Sequence, residues 1–286
     1  MPAPSLRHDS LALALRTAAQ AYAVEIETQL KRAGQGHHTG VHRARKALAR
    51  LRALLSLLHA TPARPTLLEQ RLRAGARKLS RLRDAQAAHG MARRLARSKL
   101  NSHVGETWAS AIDGLEADRD QLLQAELRAD PDLSAQRDDF SVLRTSLDAY
   151  EWTAAKPSHV ESALRRSARR ARRARKQARA ASSLETRHSL RRRMRRLLLQ
   201  IQLLQAIAED KGHPRAAKRA RKLVAHESKH HRVRKRLIDA LGDERDLYLL
   251  RHALKGRQRT SAADPLLSIV DRRLSKAVAA CDKLID

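Results

Sequence analysis

The sequence VHRARKALARLRALLSLL, residues 41–58, has the pattern of a helix with one apolar and one basic face. At about 100° per residue, the apolar positions from Val41 to Leu58 fall on one side of the helix. The opposite side carries four basic residues, which are His42, Arg45, Lys46 and Arg50. The stretch therefore predicts an amphipathic helix that packs its apolar side and exposes its cations.

The same pattern occurs again at residues 187–204, RHSLRRRMRRLLLQIQLL, with apolar and basic positions in the same order. An equal spacing separates His42 from His188 and Arg50 from Arg196. The second basic face consists of His188, Arg191, Arg192, Arg195 and Arg196. A repeat that preserves both faces indicates that the chain consists of two related halves, each presenting one such helix.

A second element, LSRLRD at 79–84 and LGDERD at 241–246, follows each copy of the basic helix. Its aspartates, Asp84 and Asp246, are expected to brace the neighbouring arginines, because a buried charge needs a partner. We place the boundary between the halves near residues 156–159. The prediction is one domain over 5–286, with an N-terminal half at 5–156 and a C-terminal half at 157–286.

Composition and periodicity predict an all-α protein. Only 10 of the 286 residues are Gly, and no stretch alternates as a strand would. Aromatic residues make up 2%, so the core must be aliphatic. Helices are predicted at 5–33, 41–58, 66–100, 106–128, 160–181, 187–204, 215–255 with a kink near Gly242, and 264–286. A further short helix is predicted in the connection between Pro131 and Pro157. Each half should form a bundle of about four helices, and both should join in one compact domain.

The charge is strongly unbalanced, with 60 Lys and Arg against 30 Asp and Glu and a formal net charge of +30. Self-repulsion on this scale favours a polyanionic partner. The helix at 160–181 has a narrow stripe of small residues opposite Arg166, Arg169, Arg170 and Arg173. A short turn joins it to the helix at 187–204, so the two should pack side by side. With the helix at 41–58, their charges should face one basic central trough that suits a flexible linear polyanion.

The residues that are missing from the basic helices narrow the choice of polyanion. Single-strand binders usually interleave aromatic residues on which bases stack, and these helices carry no Phe, Trp or Tyr. No docking module of duplex DNA readers is recognisable. A phosphate polymer without bases, inorganic polyphosphate, fits better. The alternative is nonspecific, nucleoid-type nucleic-acid binding by the same basic face, because backbone charge alone gives substantial affinity.

Several other classes of function are disfavoured. Cys281 is the only cysteine, which excludes an intrachain disulfide and favours a reducing, cytoplasmic setting. No secretory signal or long uncharged apolar run indicates secretion or a membrane span. The sequence offers no convincing pair of an acid and a nucleophile, so an enzyme is not indicated. We expect neither a cofactor nor a metal.

Two pairs of histidines are possible metal ligands by residue type. His42 and His188 lack neighbouring Cys or carboxylate ligands, and phosphate hydrogen bonding suits them better. The segment HESKH, with His226 and His230, has zinc-protease spacing, but no strand-bearing catalytic domain accompanies it. These two histidines are expected to lie on the packed side of a long basic helix.

The doubled pattern of a histidine, an arginine three residues later, further basic residues and an R-D element resembles the CHAD family (conserved histidine α-helical domain). The resemblance covers 5–286. It implies two four-helix halves related by a pseudo-twofold axis, a basic central cavity that binds polyphosphate and, as for several bacterial members, association with polyphosphate granules. Residues implied to bind are His42, Arg45, Arg50, His188, Arg191, Arg195 and Arg196. Ala49 stands where the family usually has a basic residue, matching Arg195, and Leu198 stands where the first copy has Arg52. We therefore expect the second half to contribute more to binding.

Overall fold

The computed structural model describes residues 10–62, 64–98, 104–228, 230–257 and 265–285. These residues form eleven α-helices and no strand, so the all-α prediction is confirmed. The helices are α1 (Leu11–Gly34), α2 (His38–Leu55), α3 (Thr66–Lys78), α4 (Ser80–Ala96), α5 (Gly105–Ala129), α6 (Ser134–Asp148), α7 (Pro157–Ala181), α8 (Leu184–Glu209), α9 (Pro214–Ser228), α10 (His231–Arg257) and α11 (Pro265–Ile285). The predicted starts at Ser5 and Asp264 lie outside the described residues.

Local signals in the sequence set the ends of the first helices of each half. The Ser10 hydroxyl accepts a hydrogen bond from the Leu13 amide and caps α1. Gly36 adopts a φ of 85° in the turn between α1 and α2, a conformation that glycine adopts without strain. In the second half, Ser183 and Thr186 form a reciprocal capping box at the start of α8. Two antiparallel hairpins, α1 with α2 and α7 with α8, result.

Two predicted helices are each divided in the structure. The stretch 66–100 forms α3 and α4, which meet at the fully buried Leu79. The stretch 215–255 forms α9 and α10, which separate after Ser228, whereas Gly242 lies inside the continuous α10. The predicted kink at Gly242 is therefore wrong. In chain order, each half has five helices rather than four, and α6 lies in the connection between them.

The hydrophobic core has two parts, and each part contains helices of both halves. The larger part is built mainly from α1–α3 and α6–α9. The smaller part, around the buried Trp108, joins α4 and α5 to α10 and α11. The boundary at residues 156/157 thus divides the sequence without dividing the core.

The helices that carry the repeated elements meet at the centre of the molecule. Helix α2 contacts α8, and α4 contacts α10, so equivalent helices of the two halves are neighbours. Helix α8 also packs against α10, and α2 against α4. This arrangement places four helices with basic side chains around one central space.

Candidate functional site

The central space is a cavity of about 840 Å³ between α2 and α8 on one side and α4 and α10 on the other. Its basic lining consists of Arg45, Lys46, Arg52, Arg83, Arg94, Arg191, Arg192, Arg195, Arg196 and Arg245. His42 and His188 also line it, with three carboxylates, Asp239, Asp243 and Asp246, on α10. No Phe, Trp or Tyr occurs among the described residues that line the cavity. Cations therefore dominate a space that offers no Phe, Trp or Tyr ring for base stacking.

Eight of the predicted binding residues line this central cavity: His42, Arg45, Lys46, His188, Arg191, Arg192, Arg195 and Arg196. The lining does not include Arg50 or the α7 residues Arg166, Arg169, Arg170 and Arg173. Arg50 acts electrostatically on Tyr22 of α1, whose pKa is raised mainly by burial. Arg169, Arg170 and Arg173 are exposed on the surface of α7. The trough predicted between three basic helices is thus a cavity between four helices, and α7 lies outside it.

Crossed ion pairs join α4 to α10 beside the cavity. Arg83 on α4 donates to its neighbour Asp84 at 2.9 Å and to Asp246 on α10 at 3.0 Å. Arg245 on α10 donates in return to Asp84, with Nη2 at 3.2 Å from Oδ1. Asp84 therefore accepts from arginines of both halves, and Asp246 accepts from the arginine of the other half. These bonds hold Arg83 and Arg245 in place at the cavity wall.

The His188 ring is held neutral by its surroundings. Arg245 Nη1 lies 3.0 Å from Nδ1 and 3.3 Å from Nε2 of His188, and it can donate only to an unprotonated ring nitrogen. Burial, followed by the charges of Arg245 and Arg192, lowers the pKa of His188 to about 4. The pKa of His42 is also lowered, by burial and then by Lys46 and Arg195. Both imidazoles are thus neutral at pH 7 and can donate one hydrogen bond to an anion.

Seven of the cavity cations have no carboxylate partner within ion-pair distance among the described residues. They are Arg45, Lys46, Arg52, Arg191, Arg192, Arg195 and Arg196. Arg45 donates instead to the carbonyl oxygen of Ala76 at 2.6 Å and to the hydroxyl of Ser80 at 3.1 Å. The buried Nε of Arg191 has no hydrogen-bond partner within the protein. These cations repel one another until an anion enters.

The pKa values of the cavity arginines reflect their burial first and this repulsion second. Burial, followed by the charge of Arg83, lowers the pKa of Arg45 to about 10. Burial, followed by the charge of Arg195, lowers the pKa of Arg191 to about 10. Both side chains remain charged at neutral pH. A bound anion would relieve the unfavourable charge of each, so the cavity is electrostatically suited to an anion.

The sequence pointed less clearly to the cavity residues on α4 and α10. The adjacent Arg and Asp at 83–84 and 245–246 suggest local pairs, whereas Arg83 and Arg245 both line the cavity and each pairs with an aspartate of the other half. Asp239 and Asp243, with the spacing of one helical turn before Asp246, were not singled out. The repeated R-D element was the signal that could have placed these residues, because it marks one face of two equivalent helices.

The HESKH segment lies at the junction of α9 and α10 rather than within one helix. Helix α9 ends at Ser228 and α10 begins at His231, while Lys229 and the side chains of His226 and Ser228 lie outside the described residues. Glu227 forms an ion pair with Arg234. Within the described ranges, no group of three His, Cys, Asp or Glu side chains is arranged to hold a metal ion. The helix required by the zinc-protease motif is thus interrupted.

Fold and site together define an all-α protein with a cationic cavity at the contact between two repeated halves. The family model of the CHAD domain matches residues 14–255, and the chain belongs to the CHAD family. A crystal structure of the CHAD domain from the plant Ricinus communis has the same fold, with a TM-score of 0.57 and 16% sequence identity over 99% of this chain and 94% of that chain. A comparison with curated proteins gave no match.

In the part of the chain that the structure describes, no helix has both the length and the apolar character needed to cross a bilayer.

Proposed function

We propose that the protein binds inorganic polyphosphate in the central cavity and does not catalyse a reaction. The observation that carries this proposal is the set of seven cavity cations without a carboxylate partner, in a space whose described lining has no Phe, Trp or Tyr. A linear chain of phosphates offers a charge at every unit and has no base to stack. It therefore matches both features of the cavity.

The side chains of the cavity suit phosphate oxygens in particular. Six of the seven unpaired cations are arginines, whose planar forks bind phosphate through two parallel hydrogen bonds. Neutral His42 and His188 add one donor each. Polyphosphate binding also releases counterions from the polymer, so affinity should fall as salt is raised.

The cavity carboxylates support binding rather than catalysis. Asp246 accepts from Arg83 at 3.0 Å, and Asp243 accepts from Arg94 at 2.9 Å. Each is thus engaged as an ion-pair partner, and neither lies beside a nucleophile that it could activate. In the cell, a protein with such a cavity would be recruited to polyphosphate granules, and this localisation belongs to the same proposal.

Two matched variants test the proposal. R191Q/R195Q removes two cavity cations, whereas R81Q/R93Q removes two exposed α4 cations outside the cavity lining. A charged hydrogen bond contributes about 1.5–3 kcal/mol. The cavity variant should therefore lose at least about tenfold in affinity for long-chain polyphosphate. The control should stay within about threefold of wild type. Circular dichroism verifies that both variants keep their helicity.

A salt titration with polyphosphate, single-stranded DNA and duplex DNA at equal phosphate concentration completes the test. We expect polyphosphate binding to survive salt better than DNA binding, because the cavity offers seven unpaired cations to a bare phosphate chain and no Phe, Trp or Tyr on which bases could stack. Equal losses for the two variants would contradict the proposal. The proposal would also be contradicted if the three polymers bound with equal affinity and the three affinities fell together as salt was raised. A nonspecific cationic surface that binds nucleic acid would then explain the data.

A further inference from the structure

Helix α7 carries a dense cationic surface that the central cavity does not use. No Asp or Glu occurs at residues 162–184, while nine Arg or Lys residues lie between Arg165 and Arg179. Arg165 pairs with Glu161, and Arg175 donates to the main-chain carbonyls of Leu284 and Ile285. Arg166, Arg169, Arg170, Arg172, Arg173 and Lys176 have no carboxylate partner among the described residues. Most of the α7 charge is therefore free to meet an anion from outside.

The hairpin of α7 and α8 sets this surface beside the cavity. The two helices are antiparallel and are joined by Ser182 and Ser183. Residues at equal distance from such a turn lie side by side, since both helices rise 1.5 Å per residue. Arg173 therefore lies level with Arg192, and Arg170 level with Arg195. Because Arg192 and Arg195 line the cavity, α7 follows the cavity wall on its outer side.

The α7 cations form two stripes along the helix. Arg166, Arg170 and Arg173 follow each other at spacings of four and three residues and make up the near stripe. Arg169, Arg172 and Lys176 make up the far stripe, about 90° around the helix. Burial lowers the pKa of the cavity residue Arg196, and the charges of Arg52, Arg193 and Arg170 lower it further. Arg170 of the near stripe is therefore close to Arg196 and thus lies close to the cavity wall.

We propose that Arg166, Arg170 and Arg173 form an exit track that holds the part of a polyphosphate chain emerging from the central cavity. The inference rests on the proposed function and adds to it. Polyphosphate is favoured over nucleic acid because no aromatic residue lies between Arg165 and Arg179 and because the track continues the cavity. The track runs for about 10 Å along α7 from Arg166 to Arg173. Only a chain longer than the cavity can reach it, so the track makes the protein selective for long chains.

The test compares chain lengths in variants that lose the same number of charges from the same helix. R166Q/R170Q/R173Q removes the near stripe, and R169Q/R172Q/K176Q removes the far stripe. Both variants should keep their fold, since Gln is a good helix former and the changed side chains lie on the solvent side of α7. Affinities for tripolyphosphate and for long-chain polyphosphate are measured over a range of salt concentrations.

The near-stripe variant should bind tripolyphosphate as wild type does and should lose about tenfold in affinity for long chains. Its salt slope for long chains should fall by about 2, because each lost contact removes about 0.7. The far-stripe variant should stay within about threefold of wild type for both ligands. Equal long-chain losses in the two variants would overturn the track, since general attraction would then explain the binding.

The remaining outcomes separate the track from the proposed function. If R191Q/R195Q loses both ligands while the near-stripe variant behaves as wild type, the cavity function stands and the track is wrong. If neither ligand binds wild type, the proposed function itself fails. If the near-stripe variant keeps long-chain polyphosphate and loses duplex DNA, the surface of α7 binds nucleic acid, and the track is again overturned.

Discussion

Replacing Glu244 with leucine should destabilise the protein, and replacing Arg187 with valine in the same chain should restore most of the loss. Arg187 Nη1 donates to Glu244 Oε1 at 2.9 Å, and the two side chains are only 7% and 2% exposed. The matching positions of the first half are Val41 and Leu82, both buried. A buried ion pair in the second half thus stands where the first half has an apolar pair.

The contacts around Arg187 set the size of the effect. Removing one partner of a buried ion pair costs about 3–5 kcal/mol, because the other charge is left without compensation. Arg187 would keep its hydrogen bonds to the carbonyl and hydroxyl of Ser182 and a 3.4 Å contact with Asp282. We therefore expect E244L to cost about 3 kcal/mol, at the lower end of that range. The double variant R187V/E244L recreates an apolar pair and should lie within about 1 kcal/mol of wild type.

Urea unfolding followed by circular dichroism measures both values. The melting temperature of E244L should fall by at least about 6 °C, since 1 kcal/mol corresponds to about 2–4 °C in domains somewhat smaller than this one. Polyphosphate affinity serves as a control and should not change, because neither side chain lines the cavity. A loss below about 1 kcal/mol for E244L, or a double variant less stable than E244L, would refute the reasoning about the buried charge.

Three further predictions concern stability, pH and reactivity. G34A should be destabilising, because its Cβ would clash with the main-chain oxygen of Asp132. G90A, with open space around its Cβ, should stabilise α4 by about 0.5–1 kcal/mol in thermal unfolding. The folded-state pKa of His188, about 4, lies below the ordinary 6.5, so the protein loses stability as pH falls from 6.5 to 4. Between pH 7 and 4.5, the free energy of unfolding in urea should therefore fall by about 2 kcal/mol less for H188Q than for wild type. Cys281 is fully buried and burial raises its pKa to about 12, so iodoacetamide at pH 8 should label it only after denaturation, as mass spectrometry would detect.

The sequence predicted the helical class and the repeat, because periodicity reports which residues are buried. It did not predict the breaks near Leu79 and after Ser228, since the apolar stripe continues through both and neither site has Gly or Pro. Gly242, the conspicuous helix breaker, lies instead in a continuous helix. A Cβ at this position would lie 3.4 Å from Arg191 Nη2, so the glycine leaves room for a cavity arginine. Tertiary packing, which one sequence does not reveal, decides both cases.

The candidate site was predictable to the extent that one helix face determines it. The basic faces of α2 and α8 reach the cavity because their apolar faces occupy the core. The pattern of α7 is equally amphipathic, but periodicity cannot tell which neighbour a basic face meets. Arg83 and Arg245 were missed for a related reason. An adjacent Arg and Asp suggest a local pair, and only the contact of α4 with α10 adds the pairs between the halves, Arg83 with Asp246 and Arg245 with Asp84.

The two halves carry different charges at matching positions, so the repeated structure is electrostatically asymmetric. The first half has Ala49 where the second has Arg195, and both residues line the cavity. The contrast is larger on the helix that precedes each cavity wall. The positions of α1 that match Arg166, Arg170 and Arg173 carry Gln20, Val24 and Glu27, of which Val24 is 52% exposed and Glu27 pairs with Arg144. An anionic chain would therefore find a cationic continuation on α7 and none on α1. Two equal halves would bind a polymer equally at both ends of the cavity. Because α1 lacks these cations, we expect the polymer to leave the cavity along α7.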